Sequence, residues 1–455
     1  MDNSENQILL GNMFGFCDDI RKNYAVDPRH YLYGAVKRGL RNADGTGQLV
    51  GVTGVGSVQG YMMLDGEPIP MPGRLYYRGI DVREIVSSHI DEEVFGFEEV
   101  AYLLLMGELP KKDQLAAFRQ SIGLCQSLPE GFNENIMAKA PSHSVMNMLS
   151  RSVLALYAYD EIPDDGSIEN MVRQSLELIA RVPVIAAHAY AHYKHAYMDK
   201  PLVIKNPRSD YSLAQNLMHM MRDDDNWTDE DARLLDILLT ILAEHGGGTP
   251  SSFACRMLTS TGTDMYAAMS AAINVVKGRM DGGTVLSALN MFENILDNVS
   301  DMDDDRELTE YLNRILDGEA NDGSGHIYGI GHAVYTQSDP RTILLKQAAG
   351  ELAEKRGFAE KFRLMDNIER VAVRAISDRY TLRKPICANV DLYTGLVLRM
   401  LRIPDDLFEP LFCVSHVASW SAHRIEERLS GNRMMRPAYR CVAQYSQYVP
   451  IDKRG

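Results

Sequence analysis

The chain has 455 residues, of which 45% are hydrophobic and 24% charged, the composition of a folded globular protein rather than a disordered or membrane-embedded one. Lys plus Arg number 47 and Asp plus Glu 62, a net charge of −15, which argues against a surface for nucleic acid or anionic membrane. The six cysteines occur without CxxC pairs, so neither a disulfide framework nor a zinc motif is indicated.

The sequence offers no membrane or export signal. Its first 19 residues lack a basic flank followed by an apolar core, and no apolar run reaches the roughly 18 residues of a membrane span. We therefore expect a cytoplasmic protein.

The predicted elements begin with a short strand-like region. Residues 47–77 are rich in glycine and proline and alternate in hydropathy, which predicts short hairpins as a small addition to the body of the protein. From Phe97 onward apolar residues recur at helical spacing, with a break between Gly107 and Pro110, so the sequence predicts an all-α fold.

One predicted helix leads to a histidine. Thr228 can cap it, three acidic residues suit its positive end, and glycines 246–248 end it, so its last residue is expected near His245. Leu234, Leu238, Ile241 and His245 share one face at helical spacing. His245 is therefore expected in the core or on the wall of a pocket.

Two later helices have distinctive surfaces. Residues 264–277 carry small side chains, which allow another helix to approach closely and make this helix a candidate subunit interface. Residues 408–427 have a nearly unbroken apolar centre, typical of a helix buried on all sides, with His416 in its middle.

Polar residues and glycines interrupt the helical pattern at 244–252, 278–283, 325–341 and 385–395, and loops at helix ends are where ligands meet backbone amides. In these segments His332 is suited to proton transfer and Arg341 to carboxylate binding. Asp391 is either a general base or a helix cap. Residue types alone favour the helix cap.

The combination of motifs is more specific. His245 followed by glycines, GHAVY with DPR seven residues after its histidine, and ANVDLY occur in the order found in citrate synthases. The resemblance runs from LYYRGIDVREI, which begins at Leu75, to RMMRPAYR near the end of the chain. The sequence thus resembles the citrate synthase family.

This resemblance implies an all-α, two-domain homodimer. A large helical domain would comprise residues 1–285 and 394–455, and a smaller domain, residues 286–393, would close over the substrates. The implied activity is that of an acyltransferase of the tricarboxylic acid cycle type, which converts the acyl group to an alkyl group on transfer. It condenses acetyl-CoA, or another short acyl-CoA, with oxaloacetate or a related 2-oxoacid.

The resemblance also assigns roles to residues. Asp391 would remove a proton from the acyl-CoA methyl group, and His332 would hold and protonate the oxoacid carbonyl oxygen. The oxoacid would also meet His245, Arg341, Phe412, His416 and, from the partner subunit, the residue equivalent to Arg436. Coenzyme A would meet Ile327, Gly329, Ile330, Gly331, Asn389, Lys384 and Arg383. No cofactor and no metal ion is implied, since the CoA thioester is a substrate.

Two positions depart from the family pattern at the centre of this chemistry. Asp281 stands where the family has a histidine that donates to the thioester oxygen, and the loss of one such donor costs about 10²- to 10³-fold in rate. An ionised Asp281 would repel a developing enolate by roughly 4 kcal/mol at about 4 Å. His416 replaces an arginine that clamps a carboxylate, and histidine cannot form that fork. Ala333 replaces a further arginine.

Three hypotheses follow. In the first, an active enzyme keeps Asp281 protonated as a hydrogen-bond donor, with acceptor preference altered by His416. In the second, a catalytically impaired homologue binds CoA, an organic acid or a partner subunit. In the third, a metal site forms from Asp281, Asp391, His245, His332 and His416. The presence of base, acid and both arginines favours the enzyme.

Overall fold

The structure is a computed structural model that describes residues 7, 13, 17–18, 20–21, 26–31, 36–42, 46–382, 384–431 and 433–454. It divides into two units. Residues 1–50 and 436–455 form one unit, whose described part contains the short 3₁₀ turns Pro28–Tyr31, Arg38–Leu40 and Ile451–Lys453. Residues 51–435 form the other, to which the following description applies.

The unit begins with a small antiparallel sheet, β1 (Gly56–Leu64), β2 (Glu67–Tyr77) and β3 (Ile80–Asp81), in the order β1-β2-β3. Leu64 pairs with Glu67 across a two-residue turn, and both turn residues, Asp65 and Gly66, have positive φ. Positive φ at both positions matches the right-handed twist of the strands. The predicted hairpin is confirmed.

The rest of the unit is helical, which confirms the predicted all-α class. A shared hydrophobic core runs through these helices. In the part of the chain that the structure describes, none of them is long and apolar enough to cross a membrane. The helices are α1 Val82–Asp91, α2 Phe97–Met106, α3 Lys112–Cys125, α4 Val145–Ala155, α5 Ile168–Tyr197, α6 Leu213–Met221, α7 Asp229–Ile241, α8 Pro250–Ser260, α9 Met265–Val276, α10 Thr284–Asn298, α11 Asp305–Leu316, α12 Pro340–Lys355, α13 Ala359–Arg379, α14 Asp391–Met400 and α15 Phe408–Leu429.

Helix α7 starts as predicted but ends earlier. The Thr228 hydroxyl accepts from the amide of Asp231, as an N-cap does. The helix stops at Ile241 rather than near His245, because the Tyr77 hydroxyl of β2 donates to the carbonyls of Thr240 and Ile241. The expected helical face carrying His245 was therefore wrong, and His245 lies on a separate turn.

Two other helices agree with the sequence prediction. In α9 the small side chains pack within the chain, with Ser270 and Ser150 of α4 forming a hydroxyl pair at 2.9 Å. A subunit contact by this helix stays a prediction. Helix α15 is buried almost throughout, and His416 in its centre is 1% exposed. The predicted small domain, residues 286–393, lies within the larger unit, and its boundary stays a prediction.

Candidate active site

The sheet supports the loop that carries His332. Gly60 of β1 and Gly73 of β2 lie directly against this loop, and a Cβ atom added to them would lie 2.6 Å and 2.7 Å from atoms of Tyr335. The Thr336 hydroxyl donates to the carbonyls of Gly60 and Met71. The hairpin is therefore a platform for the site and not the minor addition that the sequence pattern indicated.

His332 is held in one tautomer by its own loop. The amides of Val334 and Tyr335 both donate to its Nδ1 at 3.0 Å, so the neutral ring carries its proton on Nε2. The ring of Tyr335 stacks on it with centroids 4.6 Å apart. These contacts fix the ring plane of His332 and make Nε2 its donor atom.

His245 meets this pair at its edge. Its ring centroid is 5.1 Å from that of His332, nearly perpendicular, and its Nε2 lies 3.2 Å from the Tyr335 hydroxyl. Burial lowers the pKa of His245 well below its usual value, and the charge of Arg341 lowers it further. His245 is therefore a neutral group at physiological pH.

Arg341 supplies a buried positive charge. It is 5% exposed and forms a two-pronged ion pair with Asp339, Nε to Oδ1 at 3.1 Å and Nη2 to Oδ2 at 2.8 Å. Burial works against its charge, but the Asp339 carboxylate raises the pKa of Arg341 above its usual value. Asp339 also caps α12 and accepts from the amide of Val390, which joins α12 to the start of α14.

Asp391 is the first residue of α14, and Val390 precedes it in the capping position. The capping interpretation of Asp391 is wrong, since its side chain accepts from the Thr284 hydroxyl at 2.5 Å instead. Burial raises the pKa of Asp391, while the hydrogen bond from Thr284 and the charge of Arg341 act in the opposite direction. The group is a buried carboxyl with a proton affinity above that of an exposed aspartate.

Asp281 lies near Asp391 in the turn before α10. Burial and the charge of Asp391 together raise the pKa of Asp281 to about 6. Its Oδ2 is buried and has no hydrogen-bond partner among the described residues. The group therefore changes charge between pH 5 and 7.

His416 and Phe412 stack on α15, one turn apart, with ring centroids 4.3 Å apart. His416 Nδ1 donates to the Phe412 carbonyl at 3.0 Å. Burial lowers the pKa of His416 to about 4. It is uncharged at neutral pH and cannot supply the positive charge that an arginine would.

The glycines predicted to meet coenzyme A form a short bridge with residues 387–389, just before α14. The Gly331 amide donates to the Cys387 carbonyl at 2.8 Å, and the Asn389 amide to the Gly329 carbonyl at 2.9 Å. Between these bonds Ile330 pairs with Ala388, so its own amide and carbonyl point away from residues 387–389.

The other predicted CoA residues have internal partners. The side chain of Asn389 donates to the Gly331 carbonyl and accepts from the Asp391 amide. Lys384 donates to the carbonyls of His332 and Ala333 at 3.3 Å and 3.0 Å. Ile327 is buried in the core, and Arg383 lies outside the described residues.

Arg436 belongs to the other unit and is exposed, so its role at a partner's site stays a prediction. The metal hypothesis gains no support. Within the described ranges, no three His, Cys, Asp or Glu side chains are grouped closely enough to hold an ion.

Sequence reasoning assigned no role to four residues that shape the site: Tyr335, Asp339, Thr284 and Glu244. Asp339 had a usable signal, because an aspartate directly before proline at a helix start is a capping pattern. Tyr335 follows His332 by three residues, but nothing in the sequence indicates its stacking. Thr284 and Glu244 act through contacts with residues far along the chain.

The site thus combines neutral histidines, a buried arginine and two carboxyls of raised pKa on a helical scaffold, an arrangement suited to binding a carboxylate ligand and moving a proton. The family model for citrate synthase, C-terminal domain, matches residues 47–438. The chain belongs to the citrate synthase family.

Individual relatives agree with this assignment. A citrate synthase from Synechocystis is 32% identical over 390 residues, covering 84% of this chain and 88% of that protein. A 2-methylcitrate synthase from Shewanella oneidensis is 27% identical, covering 84% and 90%. The crystal structure of citrate synthase from Thermotoga maritima matches with a TM-score of 0.71 at 26% identity, covering 92% of this chain and 99% of that one.

Proposed function

We propose that the protein is a citrate synthase-type acyltransferase that condenses acetyl-CoA, or another short acyl-CoA, with oxaloacetate or a related 2-oxoacid. The products are a citrate-like tricarboxylic acid and free CoA, with the acyl group becoming an alkyl group on transfer. The observation that carries the proposal is the convergence of His245, His332 and Arg341 around Tyr335, within electrostatic range of Asp391.

In this reaction Asp391 takes a proton from the carbon next to the thioester carbonyl. Its buried carboxylate is a stronger base than an exposed one, which favours removal of a weakly acidic carbon-bound proton. The resulting enolate carbon then forms a bond to the oxoacid carbonyl carbon. His332 donates from Nε2 to the oxygen of that carbonyl, where negative charge develops.

Arg341 and His245 bind the oxoacid. The guanidinium is already oriented by Asp339, so little conformational entropy is lost when its remaining N–H groups meet a carboxylate. Neutral His416 beside Phe412 contributes a polar ring without a charge. A second substrate carboxylate would then depend on Arg436 supplied by a second copy of the chain in a homodimer.

Asp281 is the proposed donor to the thioester oxygen when it is protonated. Its pKa of about 6 leaves it mainly ionised at pH 7 in the free protein. Bound acyl-CoA removes water from the site, which favours the neutral acid further. Hydrolysis of the thioester after condensation releases CoA and needs only water as co-reactant.

The test is thiol release from acetyl-CoA and propionyl-CoA with oxaloacetate and a panel of other 2-oxoacids. We expect turnover by the wild type that falls by about 10²- to 10⁴-fold in Asp391→Ala, the range for a lost general base. Asp297→Ala, an exposed aspartate on α10, is the matched control and should keep full activity. Binding of acyl-CoA by calorimetry without thiol release from any pair would instead support the impaired homologue.

A further inference from the structure

The turn that carries His245 is closed by a buried carboxylate. Glu244 is fully buried, and its Oε1 accepts from the Gly246 amide at 2.6 Å. A Cβ atom at Gly56 of β1 would lie 2.6 Å from this side chain, so the strand backbone packs directly against it. The carboxylate therefore connects residue 244 to the amide of residue 246, so the backbone is fixed on both sides of His245.

His423 of α15 holds Glu244 in place. Its Nδ1 lies 3.0 Å from Arg256 Nη1, and because a guanidinium can only donate, Nδ1 is the acceptor. The proton is then on Nε2, which lies 3.1 Å from each carboxylate oxygen of Glu244. Burial alone would raise the pKa of Glu244, but its interaction with His423 holds that pKa below the usual value.

The chain of contacts continues outward to strand β1. Arg256 of α8 also pairs with Glu426 at 2.6 Å and with Glu427 at 3.0 Å. Glu426 accepts from the amide of Gly54 at 2.7 Å, just before the strand begins. The contacts thus form a continuous series, in which Glu426 contacts Arg256, Arg256 contacts His423, and His423 contacts Glu244 in the turn.

We propose that Glu244 and His423 are positioning residues, which fix the 244–247 turn so that His245 meets Tyr335 and the edge of His332. This inference rests on the proposed function, in which His245 binds the oxoacid. Neither side chain needs to touch a substrate. Their effect passes through the backbone of the turn, which also packs on His423 at Gly247.

The experiment compares three variants in the full-length protein: Glu244→Gln, His423→Phe and His423→Gln. We expect His423→Phe and Glu244→Gln to lower kcat/KM for oxaloacetate by about 10- to 100-fold, the range lost with a hydrogen bond to a charged group. The KM for acetyl-CoA should be unchanged. Glutamine at 423 can still donate an N–H to Glu244, so His423→Gln should recover most of the loss.

The matched control is Arg424→Gln. Arg424 is the next residue on α15 and is buried, but it donates to Thr259 and Thr263, away from the turn. It should lower the Tm and leave the kinetic constants unchanged. Glu426 lies half-buried at the far end of this series of contacts, so Glu426→Gln should fold. It should lower kcat/KM for oxaloacetate by a smaller factor than the Glu244 and His423 variants.

The proposal is overturned if the Glu244 and His423 variants behave as Arg424→Gln does, with a lower Tm and unaltered kinetics, or if both KM values rise together. Should the wild type release no thiol, the proposed function fails, and oxaloacetate affinity by calorimetry decides the inference separately. Weaker binding by the variants supports it. Equal affinity, or no binding by the wild type, overturns it.

Discussion

The loop around His332 and the turn around Asp281 differ in how completely their side chains are paired. His332 and Arg341 each have two hydrogen bonds that fix their orientation. Asp281 has a buried oxygen without a partner among the described residues. The first region is organised before a ligand arrives, whereas the second depends on protonation or a ligand. We therefore expect binding of the 2-oxoacid to depend little on pH, and stabilisation of the enolate to depend on the protonation state of Asp281.

The largest expected effect comes from removing the His332 side chain. His332→Ala removes the Nε2–H donor and the ring on which Tyr335 stacks, and should lower kcat/KM for oxaloacetate by about 10²- to 10³-fold. Steady-state thiol release measures this. His143→Ala, an exposed histidine, serves as control, and equal losses in both variants would refute the special role of His332.

Disturbing the contact between the hairpin and the His332 loop should have the next largest effect. In Gly60→Ala the new methyl group meets the backbone of Tyr335, and such overpacking costs about 1–3 kcal/mol of unfolding free energy. Gly350→Ala on α12, where a Cβ meets open space, should instead stabilise by about 0.5–1 kcal/mol. Urea unfolding compares the two, and an unchanged midpoint in Gly60→Ala would show that the loop does not need the close contact.

The pH dependence of kcat/KM for acetyl-CoA tests the turn around Asp281. If Asp281 donates as a neutral acid, kcat/KM for acetyl-CoA falls as pH rises through its pKa of about 6, approaching a tenfold loss per pH unit. Asp281→Asn keeps a donor that cannot ionise, so this limb should disappear from its pH profile. A limb that persists in Asp281→Asn would assign the titration to another group.

A smaller effect is expected at Thr284, whose hydroxyl lowers the pKa of Asp391. Thr284→Val removes that hydrogen bond, so the pKa of Asp391 should rise and the acidic limb of kcat/KM should move to higher pH. The rate on the plateau should change by about tenfold, the lower end of the range for a lost hydrogen bond to a charged group. Thr284→Ser should retain the wild-type profile.

Predictions from the sequence succeeded where a pattern is local. The cap at Thr228, the hairpin at residues 56–77 and the buried helix around His416 follow from short-range periodicity and turn chemistry. They failed where a distant contact decides, as when Tyr77 ends α7 four residues before His245. The function of the hairpin as a platform was missed for the same reason.

The sequence by itself determined the helical class, the family and the candidate groups for base, acid and carboxylate binding, because motif residues and apolar spacing are written in order along the chain. Only the tertiary structure decided the protonation states and orientations of these groups. Burial makes His245 and His416 neutral and raises the pKa of Asp281, and Asp339 orients Arg341. Desolvation and hydrogen-bond geometry depend on neighbours that are far apart in sequence, so no local pattern records them.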